Sequence, residues 1–202
     1  MNDANPILFY FDYISPFSYL ASRLIDDVAA KHGRDTDWRC ISVSQIFREL
    51  DATPPGIAPR KSTYAFKDLA RLAAYLEIPI NTPKKFPVAC GPARQAFYHI
   101  KAGDPALAKA FASALLEGYW HRGLDIGEPD GMRAAVAETG VDDALLAAAL
   151  ENADAKQQVK QEADDAAAHD LFGVPFMVAD GEPFFGADRI EFLDRFLAAK
   201  AG

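Results

Sequence analysis

The chain has 202 residues, 50% of them hydrophobic and 25% charged, enough to bury a sizeable core as one domain or as one domain carrying an insertion, and too apolar for a disordered chain. A formal net charge of -8, with no basic stripe to offset it, argues against a nucleic-acid partner, which is held by clustered positive charge. No apolar run reaches the roughly 18 residues of a membrane-spanning helix, and the N-terminal stretch has neither the basic nor the apolar region of a secretion signal, so a cytoplasmic chain without a membrane partner is expected.

Taken in chain order, Ile7–Tyr13 is a continuous apolar and aromatic run that suits a strand buried on both faces. A helix is expected from Pro16 to about Lys31, stopped at Gly33, with Tyr19, Leu20, Leu24 and Val28 on its inner side. Asp37–Val43 alternates polar and apolar residues as a second strand does, and the resulting β-α-β crossover should be right-handed with parallel strands. From about Ser44 to His169 the pattern is helical almost throughout, broken at "DATPPGIAPR", "IPINTPKKFPVACGP", "HRGLDIGEPDG" and "ETGVDD". Leu107, Phe111, Leu115 and Tyr119 stand four apart, the spacing of a buried helix face, and the alanine-rich stretch after Asp143 favours helix by propensity. Strand signals return in "PFMVADGEPFFG", two short runs about the hairpin dipeptide Asp180-Gly181, before a last amphipathic helix from Arg189 to about Lys200.

This order predicts an α/β protein with a thioredoxin-like fold and an inserted all-helical subdomain. The thioredoxin-like part should comprise residues 1–44 and 170–202 and the insertion residues 45–169. With no internal repeat and no low-complexity linker, 1–202 should behave as one folded unit.

The chemistry concentrates at Ser15-Pro16-Phe17-Ser18, the frame of a redox Cys-Pro-x-Cys motif with both sulfurs replaced by hydroxyls. Serine before a helix-initiating proline is a preferred N-cap, which alone accounts for Ser15. A bare serine is also a poor nucleophile without an adjacent base, and no nearby histidine or paired lysine supplies one, so Ser15 is not a hydrolase serine. A hydroxyl at a helix start can nevertheless donate to an anion such as the thiolate of a bound thiol. Lowering a thiol pKa from about 8.5 to near 7 takes roughly 2 kcal/mol. One hydrogen bond to a charged group supplies about 1.5–3 kcal/mol and the helix end roughly 0.3–1 kcal/mol, so the two suffice. Cys40 and Cys90 show neither C-x-x-C nor zinc-ligand spacing and read as packed thiols in a reducing compartment. His32, His99, His121 and His169 have no ligand spacing, so no metal is expected.

Together "FDYISPFSYLAS", "PPGIAPRKSTYAFKDLARLAAYLEIPI", "KKFP", "FGVPFMV" and "FFGADRIEFL" resemble the 2-hydroxychromene-2-carboxylate isomerase family, relatives of the kappa-class glutathione transferases within the DsbA-like thioredoxin superfamily. The similarity covers nearly the whole chain. It implies a DsbA-like fold, glutathione as cofactor, a small aromatic carboxylate or electrophile as second substrate, a role in aromatic catabolism and a homodimer. In the family mechanism the glutathione thiolate adds to an activated double bond, rotation follows about the new single bond, and elimination returns the isomer.

Residue by residue, the resemblance implies that Ser15 stabilises the glutathione thiolate. It also implies a cis bond before Pro175, so that Val174 offers its backbone to the cysteinyl part as a short extra strand does. The segment Phe185, Gly186, Ala187 and Asp188 should bind the γ-glutamyl end, with backbone N–H groups on its carboxylate and Asp188 on its ammonium; Asp188 and Glu191 also fit an N-cap with its capping-box partner. Lys61, placed just ahead of the helix bearing Tyr64, Asp68 and Arg71, matches a lysine that reaches the glycyl carboxylate, while those three residues read as a solvated, salt-bridged face. Arg48 stands near a family lysine for the acid substrate, and Phe86 where an aromatic residue lines the substrate pocket. One departure is Ala52-Thr53, where many relatives have an asparagine ahead of the two prolines. Three alternatives stay open: a kappa-like glutathione transferase, a disulfide oxidoreductase, which the absent C-x-x-C disfavours, and a non-catalytic thioredoxin-fold module that binds peptide or protein beside Pro175.

Overall fold

The computed structural model describes residues 5–56 and 58–200, which fall into two compact units, one running to Pro79 and resuming at Ala166, the other Ile80–Asp165. The first is built on a four-stranded sheet in the order β2-β1-β3-β4, with β1 at Ile7–Phe11, β2 at Thr36–Cys40, β3 at Phe176–Ala179 and β4 at Glu182–Phe185. β1 pairs with β2 in parallel, as the crossover requires, and with β3 antiparallel, while β3 and β4 form the antiparallel hairpin. Its two-sided burial explains the unbroken apolar run. Phe9 and Phe11 stack on one face, each edge-on to Trp38, while Tyr10 joins Ile41, Ile46, Leu171, Val174 and Phe176 in a core cluster. Burying each of these large side chains contributes about 1.5–3 kcal/mol. At the hairpin both Asp180 (φ 52°) and Gly181 (φ 84°) adopt the left-handed conformation that a two-residue turn demands.

Several boundaries differ from the sequence expectation. The first helix is two, α1 at Pro16–Ser22 and α2 at Ile25–Lys31. The Ser22 hydroxyl donates to the Tyr19 carbonyl at 2.8 Å, and the amides of Arg23 and Leu24 bond to carbonyls three residues back, so the chain tightens and turns between them. The break shifts the helical phase: Ile25 and Ala29 form the buried face of α2, and Leu24 and Val28 are half-buried. β2 ends at Cys40 rather than Val43, because Val43 opens α3 (Val43–Glu49). α4 spans Pro59–Tyr75, so Lys61 lies within its first turn rather than ahead of it. A 3-10 turn at 187–189 precedes the C-terminal helix, Ile190–Lys200.

The second unit is helical: α5 at Gly91–Gly103, α6 at Pro105–Trp120, α7 at Pro129–Val136, α8 at Asp143–Glu151 and α9, whose span Ala153–Ala167 runs two residues past it. α6 packs on α5 and α7, and Phe111, Leu115 and Tyr119 are buried on it while Leu107 is half-buried. The alanine-rich stretch expected as one helix divides at Asn152, whose Oδ1 accepts the Ala155 N–H at 2.9 Å and starts α9. The C-terminal helix, numbered α10, packs on α2. The elements described between β2 and β3 are all helices, of which α3 and α4 group with the sheet. Among the described residues no helix is long and apolar enough to cross a membrane.

Candidate functional site

Ser15 stands where β1 ends and α1 begins. Its backbone is extended (φ -97°, ψ 113°), and its Oγ accepts the Ser18 N–H at 3.1 Å, which is the N-cap expected of this residue type. Accepting uses a lone pair and leaves the hydroxyl proton, which points to the Val174 carbonyl at 3.4 Å. That is long for an O–H donor, whose bonds cluster near 2.7–2.8 Å. Ser15 is 8% exposed, so an incoming acceptor would meet its hydroxyl in a nearly dry setting.

Opposite it, the Val174–Pro175 bond is cis. The Pro175 carbonyl accepts the Gly186 N–H at 3.0 Å, which ties the segment 185–188 to the same strand end. Gly186 is required there by its backbone: φ is 105°, and a Cβ would stand 2.5 Å from the Asp188 Oδ1. Gly186, not Asp188, is therefore the residue ahead of the 3-10 turn, and the expected capping box is absent. The Asp188 Oδ2 accepts from the Arg189 Nη1 at 2.8 Å, and Glu191 pairs with Arg195. Asp188 and Phe185 are exposed, whereas Ala187 is buried.

α1 packs against both this turn and α4, so Ser15, Val174 and the 185–188 segment, and the helix carrying Lys61, share one neighbourhood of the sheet unit. Lys61 is exposed. Tyr64, Asp68 and Arg71 form the surface face expected of them, Asp68 accepting from Tyr64 at 3.5 Å and lying 3.8 Å from Arg71. Arg48 is exposed on α3, and Ala52 and Thr53 are exposed in the loop that follows it. Phe86 belongs to the helical unit, where its half-buried ring lies 5.8 Å from that of Trp120 and its bond to Pro87 is also cis. Beside it the Tyr119 hydroxyl donates to the Lys85 carbonyl at 2.8 Å; burial pushes its pKa well up, aided by Cys90 and Asp125, which keeps it a donor. Lys85 in turn is held above the ordinary lysine range by the hydrogen bonds it donates to Asp125 and Glu128. Cys40 and Cys90 are both buried thiols outside any disulfide, and neither stands at the start of α1.

One residue of this neighbourhood escaped the sequence reading. Asp12 is fully buried at the end of β1, and its Oδ2 accepts the Val43 N–H at 2.9 Å. A lone acid inside "FYFDY" was the available signal; its partner, 31 residues away, was not.

The profile of the DSBA-like thioredoxin domain matches residues 6–198. A 2-hydroxychromene-2-carboxylate isomerase from Sphingobium xenophagum is 30% identical over 193 residues, covering 94% of this chain and 96% of that one. Human glutathione S-transferase kappa 1 is 28% identical, covering 95% and 90% respectively. Among solved structures, a 2-hydroxychromene-2-carboxylate isomerase superposes with a TM-score of 0.85 at 24% identity, covering 96% of this chain and 95% of that one, which shows the shared fold.

Proposed function

This chain belongs to the DSBA-like thioredoxin domain family, with the 2-hydroxychromene-2-carboxylate isomerases and kappa-class glutathione transferases among its relatives, and from that premise we propose that it is a glutathione-dependent isomerase acting on a small conjugated aromatic carboxylate. The observation that carries the reading is the Ser15 hydroxyl, which is buried, accepts the Ser18 N–H, and has a proton whose acceptor is 3.4 Å away. A group that accepts that proton better than the Val174 carbonyl is what the site is short of, and a thiolate fits. With both cysteines buried and neither at the start of α1, the sulfur comes from a ligand rather than from the protein.

Glutathione, when bound, supplies the nucleophilic sulfur for reversible addition to a conjugated double bond. The chain's share is to bind and orient. Ser15 donates to the sulfur and stabilises its anionic form. Val174 aligns the cysteinyl backbone. The turn after Gly186 presents the amides of Ala187 and Asp188, the first of its 3-10 helix, to the γ-glutamyl carboxylate, with the Asp188 carboxylate on the ammonium. Lys61 takes the glycyl carboxylate and Arg48 the acid group of the second substrate. Holding both partners in register raises their effective concentration.

The transferase relative supports a second reading, in which the same site keeps the adduct instead of releasing an isomer. Incubation of the protein with glutathione and either a hydroxychromene carboxylate or a chlorinated aromatic acceptor separates them. Turnover of the chromene with glutathione conserved supports the isomerase; consumption of glutathione with the chlorinated acceptor alone supports the transferase. No saturable heat on titration with reduced glutathione would overturn both and leave a binding module.

A further inference from the structure

The mechanism above leaves one fully buried acid unused. Asp12 lies three residues before Ser15, at 0% exposure, among the aromatic residues that end β1. A carboxylate in such surroundings must be held by donors. Its Oδ2 accepts the Val43 N–H at 2.9 Å and its Oδ1 faces the Ile14 N–H at 3.5 Å. Its backbone is engaged as well: the carbonyl accepts the Ser15 N–H at 3.0 Å, and the N–H donates to the Ser18 Oγ at 3.4 Å. Asp12 therefore grips the Ser15 turn on one side and the first residue of α3 on the other. Ser42, the residue ahead of α3, makes no side-chain cap, so the acid from β1 satisfies the start of that helix.

Apolar packing runs parallel to these bonds. Ile14, which precedes Ser15, and Phe47, which precedes Arg48, both pack on the core cluster that holds Val43, Ile46 and Val174. α3, the Ser15 turn and the residue carrying its carbonyl partner thus share one packed cluster.

We propose that Asp12 is a positioning residue that locks the Ser15 turn and α3 into one register, so that the hydroxyl serving the sulfur and the helix bearing Arg48 are placed together. The proposal rests on the glutathione reading for its functional consequence, though not for the link itself.

Asp12→Asn keeps the shape and one acceptor oxygen but turns an amide N–H2 toward one of the two backbone donors, breaking one half of the link. On the protein alone, amide hydrogen exchange at Val43 or Ile14 should speed up by about tenfold, with α10 unaffected. With glutathione, the pKa of the bound thiol should rise by about one unit and the KM for the acid acceptor several-fold, while the glutathione Kd stays within about threefold. Adding Ser42→Asp supplies α3 with a local cap but no link to Ser15. Stability should then recover while the thiol pKa and the acceptor KM stay shifted, and this double variant also serves if Asp12→Asn folds poorly. Recovery of all three would reduce Asp12 to a remote helix cap and overturn the proposal. A lowered thiol pKa, the mark of a removed like charge, would overturn it too, as would unchanged exchange at both amides. A wild-type protein that gives no saturable heat with glutathione refutes the functional reading instead, and the exchange measurement still decides the link.

Discussion

The Ser15 Oγ lies 3.4 Å from the Val174 carbonyl oxygen, joining a helix start to a strand start 159 residues away. The same oxygen accepts the Ser18 N–H, so one atom serves local structure and leaves its proton for other use. Ser15→Ala removes both bonds. Loss of an N-cap costs about 1 kcal/mol, which for a chain of this size lowers the melting temperature by about 2–4 °C. Thermal denaturation should show that modest loss with an unchanged fold; a collapse of the fold would mean that Ser15 is primarily structural.

Asp188 is exposed and shares a charge pair with Arg189. Its proposed partner, the γ-glutamyl ammonium, is remote from the sulfur, so its contribution is uniform binding. Asp188→Asn should raise the apparent constant for glutathione with little change in turnover at saturation. Turnover that collapses while affinity holds would contradict that role.

Cys40 and Cys90 are 0% and 2% exposed, and a reactive cysteine must be accessible as a thiolate. Replacing both by alanine should leave glutathione-dependent activity within a few-fold, with a stability loss of about 1 kcal/mol at each packed site. A well-folded double variant with no activity would return the chemistry to protein sulfur.

Two carboxylates, the half-buried Asp194 and the exposed Asp180, tie residues 31–34 to the C-terminal part of the sheet unit. Lys31, then His32, hold the Asp194 carboxyl below the ordinary range, at 2.6 Å each, and Arg34, with Lys200, does the same for Asp180. A carboxylate whose folded pKa is depressed stabilises the fold above its unfolded value near 3.9, and that contribution is lost as the pH falls through the folded pKa. Asp194→Asn should therefore lower the melting temperature at about pH 5 and make little difference at about pH 2.5. An equal difference at both pH values would show that the pair's charge contributes nothing.

What could be read in the sequence was local. The aromatic run of β1 and the left-handed pair Asp180-Gly181 follow from side-chain type alone, as does the serine cap ahead of Pro16. Competition between neighbours hid the rest. The Ser22 hydroxyl splits a helix whose periodicity is unbroken, and Gly186 displaces Asp188 from the cap position by taking φ 105°. Ser42 looks like an adequate cap for α3, but the acceptor for Val43 comes from Asp12 across the sheet. Such pairings depend on which chain segments meet, and spacing in one sequence carries no record of that.

The most direct test of the account follows thiolate absorbance of glutathione bound to the wild-type protein and to Ser15→Ala as the pH is raised. The wild type should titrate its bound thiol near pH 7, well below the value of about 8.5 for a free thiol, and the variant about one to two units higher, with binding retained. Identical titrations in the two proteins would contradict the claim that the Ser15 hydroxyl holds the thiolate.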